Sequence, residues 1–472
     1  MALALDPATR RIDDGTVLVG GAPLRLMRLT AAGARLVDRF ASGEPVPAAR
    51  TGQRLARRLL DAGMAHPRLA GVAAQFVAAD VAVVIPVRDR DAGLTRTLDL
   101  LGQVGEVVVV DDGSSDPAAI EATVARAGSH VRLVRHDTSR GPAAARNTGW
   151  RAATATPPVI AFVDADVEPE AGWLPELLAH LADPAVAAVA PRVAPVASST
   201  TPAWLAAYEQ VRSPLDLGPD EATVRPGSRV PYVPTAALLV RRDALAASGG
   251  FDEAMPHGED VDLVWRLAAA GSTVRYEPRA VVRHPVRPGL PAWLRQRYDY
   301  GSSAAPLAVR HHGAVAPLTV SGWSAAAWGL VAAGAPAAGV ALGAASTAAL
   351  APKLANLCHP WREAVRLAGL GNLYAGRQVA DALRRAWFPL AVPLALHRRS
   401  RPALAAALVV PALIESIERR PRLDVLRWTT LRLVDDLAYG AGLWAGSVAA
   451  RTTAALRPAF SGRFPPPDPA GG

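Results

Sequence analysis

The chain has 472 residues, half of them hydrophobic, which is long enough for two or three domains and too apolar for global disorder. Its formal charge is +9, yet Lys353 is the sole lysine, and no nucleic-acid-binding motif or aromatic-basic interleaving accompanies the arginines. Nucleic acid is therefore excluded as the expected partner, leaving small anions, diphosphates and acidic headgroups. Cys358 is the only cysteine, which excludes an intramolecular disulfide and a cysteine-built zinc site. Residues 1–23 carry acids and prolines where a secretion signal has an apolar core, and the expected setting is the cytoplasmic side.

Residues 1–77 read as a first unit. Asp13-Asp14-Gly15 and Gly20-Gly21 bracket Thr16-Val17-Leu18-Val19, a hairpin signal. Thr30 opens an amphipathic helix through Phe40, and a second runs from Thr51 to Ala62 before Gly63. Small strands with two helices suggest a winged-helix-like module; a structural cap on the next domain fits the pattern equally well. His66, before Pro67, reads as a surface loop histidine.

From Asp80 the pattern changes. Val81-Ala82-Val83-Val84-Ile85 is a buried strand ending at Pro86, with the polar Arg88-Asp89-Arg90 behind it. A helix over residues 94–101 leads to Val107-Val108-Val109-Val110, which ends in Asp111-Asp112-Gly113-Ser114-Ser115-Asp116. Residues 131–134 form a further strand. A loop with Arg140-Gly141-Pro142 follows, then a helix through Arg146-Asn147 and the apolar run 159–163, which stops at Asp164-Ala165-Asp166. Strands alternating with helices predict an α/β fold with a parallel, doubly wound sheet, and three acidic loops gather at one sheet edge. The glycine-rich dinucleotide turn and the Walker phosphate loop are both absent. Asp164 and Asp166 at a strand mouth can aim one carboxylate at a divalent cation, Mg²⁺ or Mn²⁺ bridging a diphosphate, and the other at a sugar or water.

These phrases, in this order, resemble the inverting family 2 glycosyltransferases. Ile85-Pro86, Asp111-Asp112-Gly-Ser-Ser-Asp116, Gly141-Pro142-Ala-Ala-Ala-Arg146-Asn147 and Asp164-Ala165-Asp166 carry the likeness. So do Gly249-Gly250-Phe251-Asp252-Glu253 and Gly258-Glu259-Asp260-Val261-Asp262. The resemblance covers residues 80 to about 300 and implies a GT-A nucleotide-sugar domain over 80–310. It implies that Asp112 meets the uracil of a UDP-sugar, that Pro86 and Arg88 lie near the nucleoside, and that Arg140 or Arg146 pairs with phosphate. Asp166 is implied as the metal ligand and Asp164 as the ribose or sugar contact, with their order open and Asp164 a second metal candidate. Inversion needs one base on the acceptor hydroxyl, and the position implies Asp260, beside Glu259 in the substrate-binding set. A helix N-cap is the other reading of Asp260. Arg295-Gln296-Arg297-Tyr298 partly resembles the Gln-x-x-Arg-Trp motif of processive members, with Arg297 and Tyr298 as acceptor contacts; an ordinary amphipathic helix fits as well.

The last third is apolar. No residue from Gly313 to Pro352 is charged, enough for two crossings of about 20 residues each, with Trp323 and Trp328 as interfacial anchors. A buried soluble hairpin fits the same stretch. His397-Arg398-Arg399-Ser400-Arg401 separates two shorter apolar runs and suits an anionic leaflet. Residues 311–460 are expected to be helical and membrane-associated at the cytoplasmic face. The Pro/Gly-rich tail, 461–472, is expected to be disordered.

The whole layout resembles the glycosyltransferases of mycofactocin biosynthesis, in which a PqqD-like domain precedes the family 2 domain. Asp6-Pro7-Ala8-Thr9-Arg10-Arg11-Ile12-Asp13 and Tyr300-Gly301-Ser302-Ser303-Ala304-Ala305-Pro306-Leu307 carry this narrower likeness. It implies glucosyl transfer from UDP-glucose to mycofactocin or its precursor, building a β-1,4-linked oligoglucose. It also implies a precursor peptide as partner of the N-terminal module. A glycosyltransferase for a lipid or polyprenol carrier, and a non-catalytic membrane scaffold that binds a peptide, are the alternatives.

Overall fold

Short strands and two amphipathic helices open the chain. The computed structural model describes residues 1–154 and 156–460, so the tail expected to be disordered lies outside the described residues. Strand β1 (Ala2–Leu5) pairs antiparallel with β5 (Ala65–Arg68), enclosing a three-stranded antiparallel sheet of β2 (Arg10–Ile12), β3 (Val17–Gly20) and β4 (Arg25–Arg28). Asp13, Asp14 and Gly15 all have positive φ, the region where Asp and Gly are the tolerated residues, and they turn the chain between β2 and β3. Thr30 accepts the Gly33 amide and starts α1 (Ala31–Ala41); α2 is Arg50–Asp61. Leu18, Val37, Phe40, Leu59 and Met64 form the core between them.

His66 is not a surface residue. It is buried in β5, with Nε2 2.7 Å from Asp6 and Nδ1 3.2 Å from the Arg275 guanidinium. The pairing of β1 with β5 brings Asp6 onto it across 60 residues, which no local pattern announces. Burial pushes the Asp6 carboxyl upward, but the bonds from His66 and the Ala8 amide, with the charges of His66 and Arg229, outweigh it and hold it below its ordinary range.

The main sheet grows from runs that have no face to give to water. Strands β6 (Val81–Val87), β7 (Glu106–Asp112), β8 (Val131–His136) and β9 (Val159–Val163) pair in parallel, and β6, β7 and β9 are buried almost throughout. Helices α3 (Asp91–Leu100), α4 (Pro117–Ala127) and α5 (Pro142–Ala152) connect them. Helix α5 lies tight on the sheet: a Cβ at Gly149 would stand 2.3 Å from Val84 Cγ1. The chain continues through β10 (Glu168–Pro169), α6 (Trp173–His180), β11 (Val186–Val196), α7 (Ala203–Arg212), β12 (Ala222–Thr223), β13 (Ala237–Arg241), α8 (Arg242–Ala247), α9 (Glu259–Ala269) and β14 (Thr273–Pro285). The spatial order is β10-β14-β11-β13-β9-β6-β7-β8. The sheet is mixed rather than wholly parallel, because β13 runs against both β9 and β11. A buried apolar run such as Ala237–Arg241 reads the same in either direction, so only its partners set its sense. Strand β6 also continues through Pro86 to Val87 instead of stopping at the proline.

Everything so far except α7 belongs to one unit, residues 1–201 with 212–286. The second unit takes residues 202–211 and 287 onward, so the division falls at 286 and not near 310. It contains α10 (Leu290–Ser302), α11 (Ala304–Arg310), β15 (Thr319–Val320), α12 (Gly322–Ala332), α13 (Pro336–Leu350), α14 (Pro360–Arg384), α15 (Ala391–Leu396), α16 (Arg401–Arg419), α17 (Val425–Ala449) and β16 (Ala459–Phe460). Helices α10 and α17 meet through glycines: a Cβ at Gly442 would stand 1.9 Å from the Tyr298 carbonyl oxygen. Helix α10 accordingly belongs with α17 in the second unit. The uncharged stretch does not form two spanning helices. Helix α12 has 11 residues, about 16 Å of rise against a hydrocarbon core of about 30 Å. Among the described residues only Pro336–Leu354, 19 residues of mean hydropathy 1.2, is long and apolar enough to cross a membrane.

Asp6→Ala removes the carboxylate from the buried His66–Arg275 cluster. We expect it to cost about 3 kcal/mol at neutral pH, read as a lowered thermal midpoint. Because the Asp6 carboxyl is held low, its contribution is present above about pH 4 and fades as pH falls. The gap between wild type and variant should therefore close in acid; a gap independent of pH contradicts this account.

Candidate active site

Three strand ends supply the groups. Behind β6, Arg88 and Arg90 are largely exposed, and Asp89 between them adopts positive φ, held by the Ser115 amide and hydroxyl at 2.7 and 2.8 Å. At the end of β7, Asp111 accepts the Ser114 amide at 2.9 Å and pairs with Arg135. Asp112 accepts four bonds. His136 Nδ1 (2.7 Å) and the Arg140 amide (2.8 Å) go to Oδ1; the Ser139 hydroxyl (2.7 Å) and the Gly141 amide (2.9 Å) go to Oδ2. A carboxylate has about four acceptor sites, and all four bonds to Asp112 come from its own loop and the end of β8. Burial raises its pKa, but these bonds outweigh that and set it below the ordinary value.

At the end of β9, Asp164 accepts Arg146 Nη2 at 2.8 Å. Asp166 pairs with Arg90 and stands 3.6 Å from His284 Nε2, near the end of β14. Among the described residues no three His, Cys, Asp or Glu side chains converge to cage a metal. Asp166 with His284 is a two-donor set, which fits a Mg²⁺ or Mn²⁺ ion that takes its other ligands from phosphate oxygens and water. Asp164 is paired with the buried Arg146, whereas the arginine on Asp166 is exposed.

Arg146 does not face a phosphate. It is buried on α5 with Nη1 2.7 Å from Glu259 and Nη2 2.8 Å from Asp164, its guanidinium 5.6 Å above the Phe251 ring. Burial lowers its pKa and these two carboxylates raise it; the carboxylates win, and it stays charged. Glu259 is thus buried against Arg146 and has no face for substrate. Next to Arg146, Asn147 exchanges two bonds with Phe251 backbone and donates a third to Glu253 at 2.9 Å, which joins α5 to the loop before α9. Arg140 is the outward-facing arginine of the pair predicted to meet phosphate; its side chain is about half exposed and touches Glu253 at 3.2 Å. Pro86 is half-buried in the same strand that ends at Arg88.

Helix α9 starts at Glu259, and its N-cap is Gly258 at φ 81°. Asp260 therefore lies in the first helical turn and is not the cap. Its Oδ1 accepts the Val261 amide at 2.8 Å and its Oδ2 the Thr235 amide at 3.4 Å. Burial and the neighbouring Glu259 charge push its pKa up and Arg146 pulls it down, leaving it at about 7. A carboxyl poised there exchanges a proton near neutrality, as a general base must.

Arg297 and Tyr298 are in the second unit. Arg297 is buried, paired with Glu209 and with Asp435 at 3.0 Å, so its donors are used inside the helices. Tyr298 is half-buried under the Arg295 guanidinium. Arg90 and His284 went unread in the sequence. Arg90 shares the polar turn of Arg88, a weak signal; His284 is a single histidine with no partner at ligand spacing.

Two substitutions separate structural acids and bases from chemical ones. Asp112→Ala removes the acceptor of two loop amides, the Ser139 hydroxyl and the buried His136, and should lower stability by about 1–3 kcal/mol in thermal unfolding. Arg146→Met strands Asp164 and Glu259 and should cost about 3–5 kcal/mol, with Arg146→Lys recovering part of it. An Arg146→Met protein as stable as wild type would remove the arginine from the framework.

The Glycosyl transferase family 2 model matches residues 82–247. A pre-mycofactocin glycosyltransferase of Mycobacterium tuberculosis H37Rv is 42% identical over 477 residues, 97% of each chain. A probable N-acetylgalactosaminyltransferase 9 of Caenorhabditis elegans is 25% identical over 39% of this chain and 35% of its own. Among solved structures, GalNAc-T7 with UDP, GalNAc and Mn²⁺ covers 48% of this chain and 51% of its own, at 16% identity and TM-score 0.36. Staphylococcus aureus TarS 1-349 covers 48% of this chain and 64% of its own, at 18% identity and TM-score 0.37.

Proposed function

The chain is a glycosyltransferase of family 2 with a GT-A-like mixed α/β unit, and from that premise we propose that it moves glucose from UDP-glucose to pre-mycofactocin. Successive transfers would build a β-1,4-linked oligoglucose. The observation that carries this reading is the likeness along 97% of both chains to a pre-mycofactocin glycosyltransferase, which reaches well beyond the shared catalytic family.

In this proposal Asp260 removes the proton from the acceptor hydroxyl while that oxygen attacks the anomeric carbon on the face opposite the departing UDP. The exposed Arg88, Arg90 and Arg140 supply guanidinium donors to the diphosphate, with Arg90 exchanging its bond to Asp166 for one to phosphate. Asp166 and His284 would hold the divalent ion, which neutralises charge on the leaving diphosphate. Asp164, Glu259 and Arg146 keep the donor and acceptor sides in register. The N-terminal strands and helices are proposed to be a PqqD-like module for a precursor peptide. An acceptor on a lipid or polyprenol carrier is the second reading, favoured by the apolar exposed side chains of the second unit.

The test is mass spectrometry of purified protein with Mn²⁺, UDP-glucose and the deglycosylated redox cofactor. Successive hexose additions, abolished by EDTA, are expected. Slow UDP-glucose hydrolysis with an unmodified acceptor would reject this acceptor, and a product that partitions into organic solvent would favour the lipid carrier. Since Asp260 works deprotonated and its pKa is raised to about 7, kcat/KM should rise with pH through about 7 and then level. Asp260→Asn should lose about 10²–10⁴-fold in kcat with UDP affinity retained; loss of UDP binding in equal measure would place Asp260 in donor binding instead.

A further inference from the structure

The second unit buries a network of ion pairs and leaves rows of aliphatic side chains exposed on two of its helices. Asp436 is 0% exposed and binds Arg384 at 2.8 Å, Arg385 at 2.6 Å and also Arg432; Arg432 continues to the buried Glu415 at 3.1 Å. On the outward face of α16, by contrast, Val409, Val410 and Ile414 are about two-fifths exposed and Ile417 is 75% exposed. No charged residue occurs over 402–414, and the acid that follows, Glu415, points inward. On the adjoining α14, Trp361, Val365, Leu370, Leu373 and Tyr374 are each more than half exposed beside the exposed Arg362, Arg366 and Arg377, while Glu363 and Arg384 are buried.

In water such a unit is unfavourable twice over. Buried ions forfeit hydration, and exposed aliphatic area forfeits about 25 cal/mol for each Å² left uncovered. Against hydrocarbon both signs reverse, since polar groups then belong inside, paired with one another.

The flanking charges identify the covering medium. Exposed Arg398, Arg399 and Arg401 precede or begin α16, and exposed Arg419, Arg420 and Arg422 end or follow it. The helix has 19 residues, about 28 Å of rise. Basic groups at both ends suit a helix lying along one anionic leaflet, whereas a spanning helix collects its excess of basic residues on one side. We propose that the second unit docks in the plane of an anionic lipid bilayer through the outward faces of α16 and α14. This goes beyond the transferase reading and does not depend on which acceptor the catalytic unit serves.

The full chain should be tested by flotation with phosphatidylcholine vesicles that contain or lack phosphatidylglycerol. Recruitment by the anionic vesicles is expected, weakened by salt. The double substitution Val410→Glu with Ile414→Glu should lower recruitment about tenfold or more while leaving the thermal midpoint and UDP-glucose turnover unchanged. Ile417→Asp, at the most exposed position of the face, repeats the test with the least disturbance of packing. Gln at positions 398, 399 and 401 should remove the preference for anionic vesicles. Failure of the wild type to float with either vesicle, or equal flotation of both acidic variants, overturns the proposal. A protein dimer in vesicle-free solution that these substitutions dissolve, without lipid recruitment, assigns the face to a second copy instead. UDP-glucose turnover on the same preparations reports separately on the proposed transfer.

Discussion

A guanidinium placed out of reach of water must be neutralised by partners it cannot easily leave. Arg146 is in that position: α5 carries it into the interior because Gly149 lets the helix settle on β6 and β7, and once there it reaches Asp164 on one side and Glu259 on the other. The two acids belong to different motifs, one at the end of β9 and one at the start of α9. Their shared cation ties the end of β9 and the start of α9 to a single helix, α5. The Asn147–Phe251 exchange and the Phe162–Phe251 edge contact at 4.9 Å close the same joint from the apolar side.

That joint sorts the acidic residues. Asp112 takes four bonds from its own loop and the end of β8, while Asp164 and Glu259 share the buried Arg146. Asp166 is held by a solvent-exposed arginine, Arg90. Asp260 has two backbone amides and a neighbouring like charge, a mixture that leaves its proton affinity near neutrality instead of deep in the carboxylate range. Acids that look equivalent in the chain thus end up in different surroundings, set by which cation or amide each one meets and how deeply it is buried.

The second unit is governed by the complementary rule. Its glycine contacts at 301, 442 and 446 bring α10 and α17 within backbone distance, and an arginine–carboxylate lattice around Asp436 is buried alongside its apolar clusters. Aliphatic residues also stand outside, on α14 and α16.

Much of this was legible in the chain itself. Strands β6, β7 and β9 announce themselves because a continuous β-branched run has no polar face to expose, and the acids that end them mark the working edge of the sheet. Family membership follows from the same phrases in order. Tertiary structure alone decided the reversed sense of β13, the burial of His66 against Asp6, and the partner of Arg146, which lies 18 residues away on one side and 113 on the other. It also decided that Arg297 is spent inside the helices and that His284 faces Asp166. Local sequence reports what a residue can donate, accept or bury; which distant group meets it depends on chain closure, and closure is a property of the packed whole.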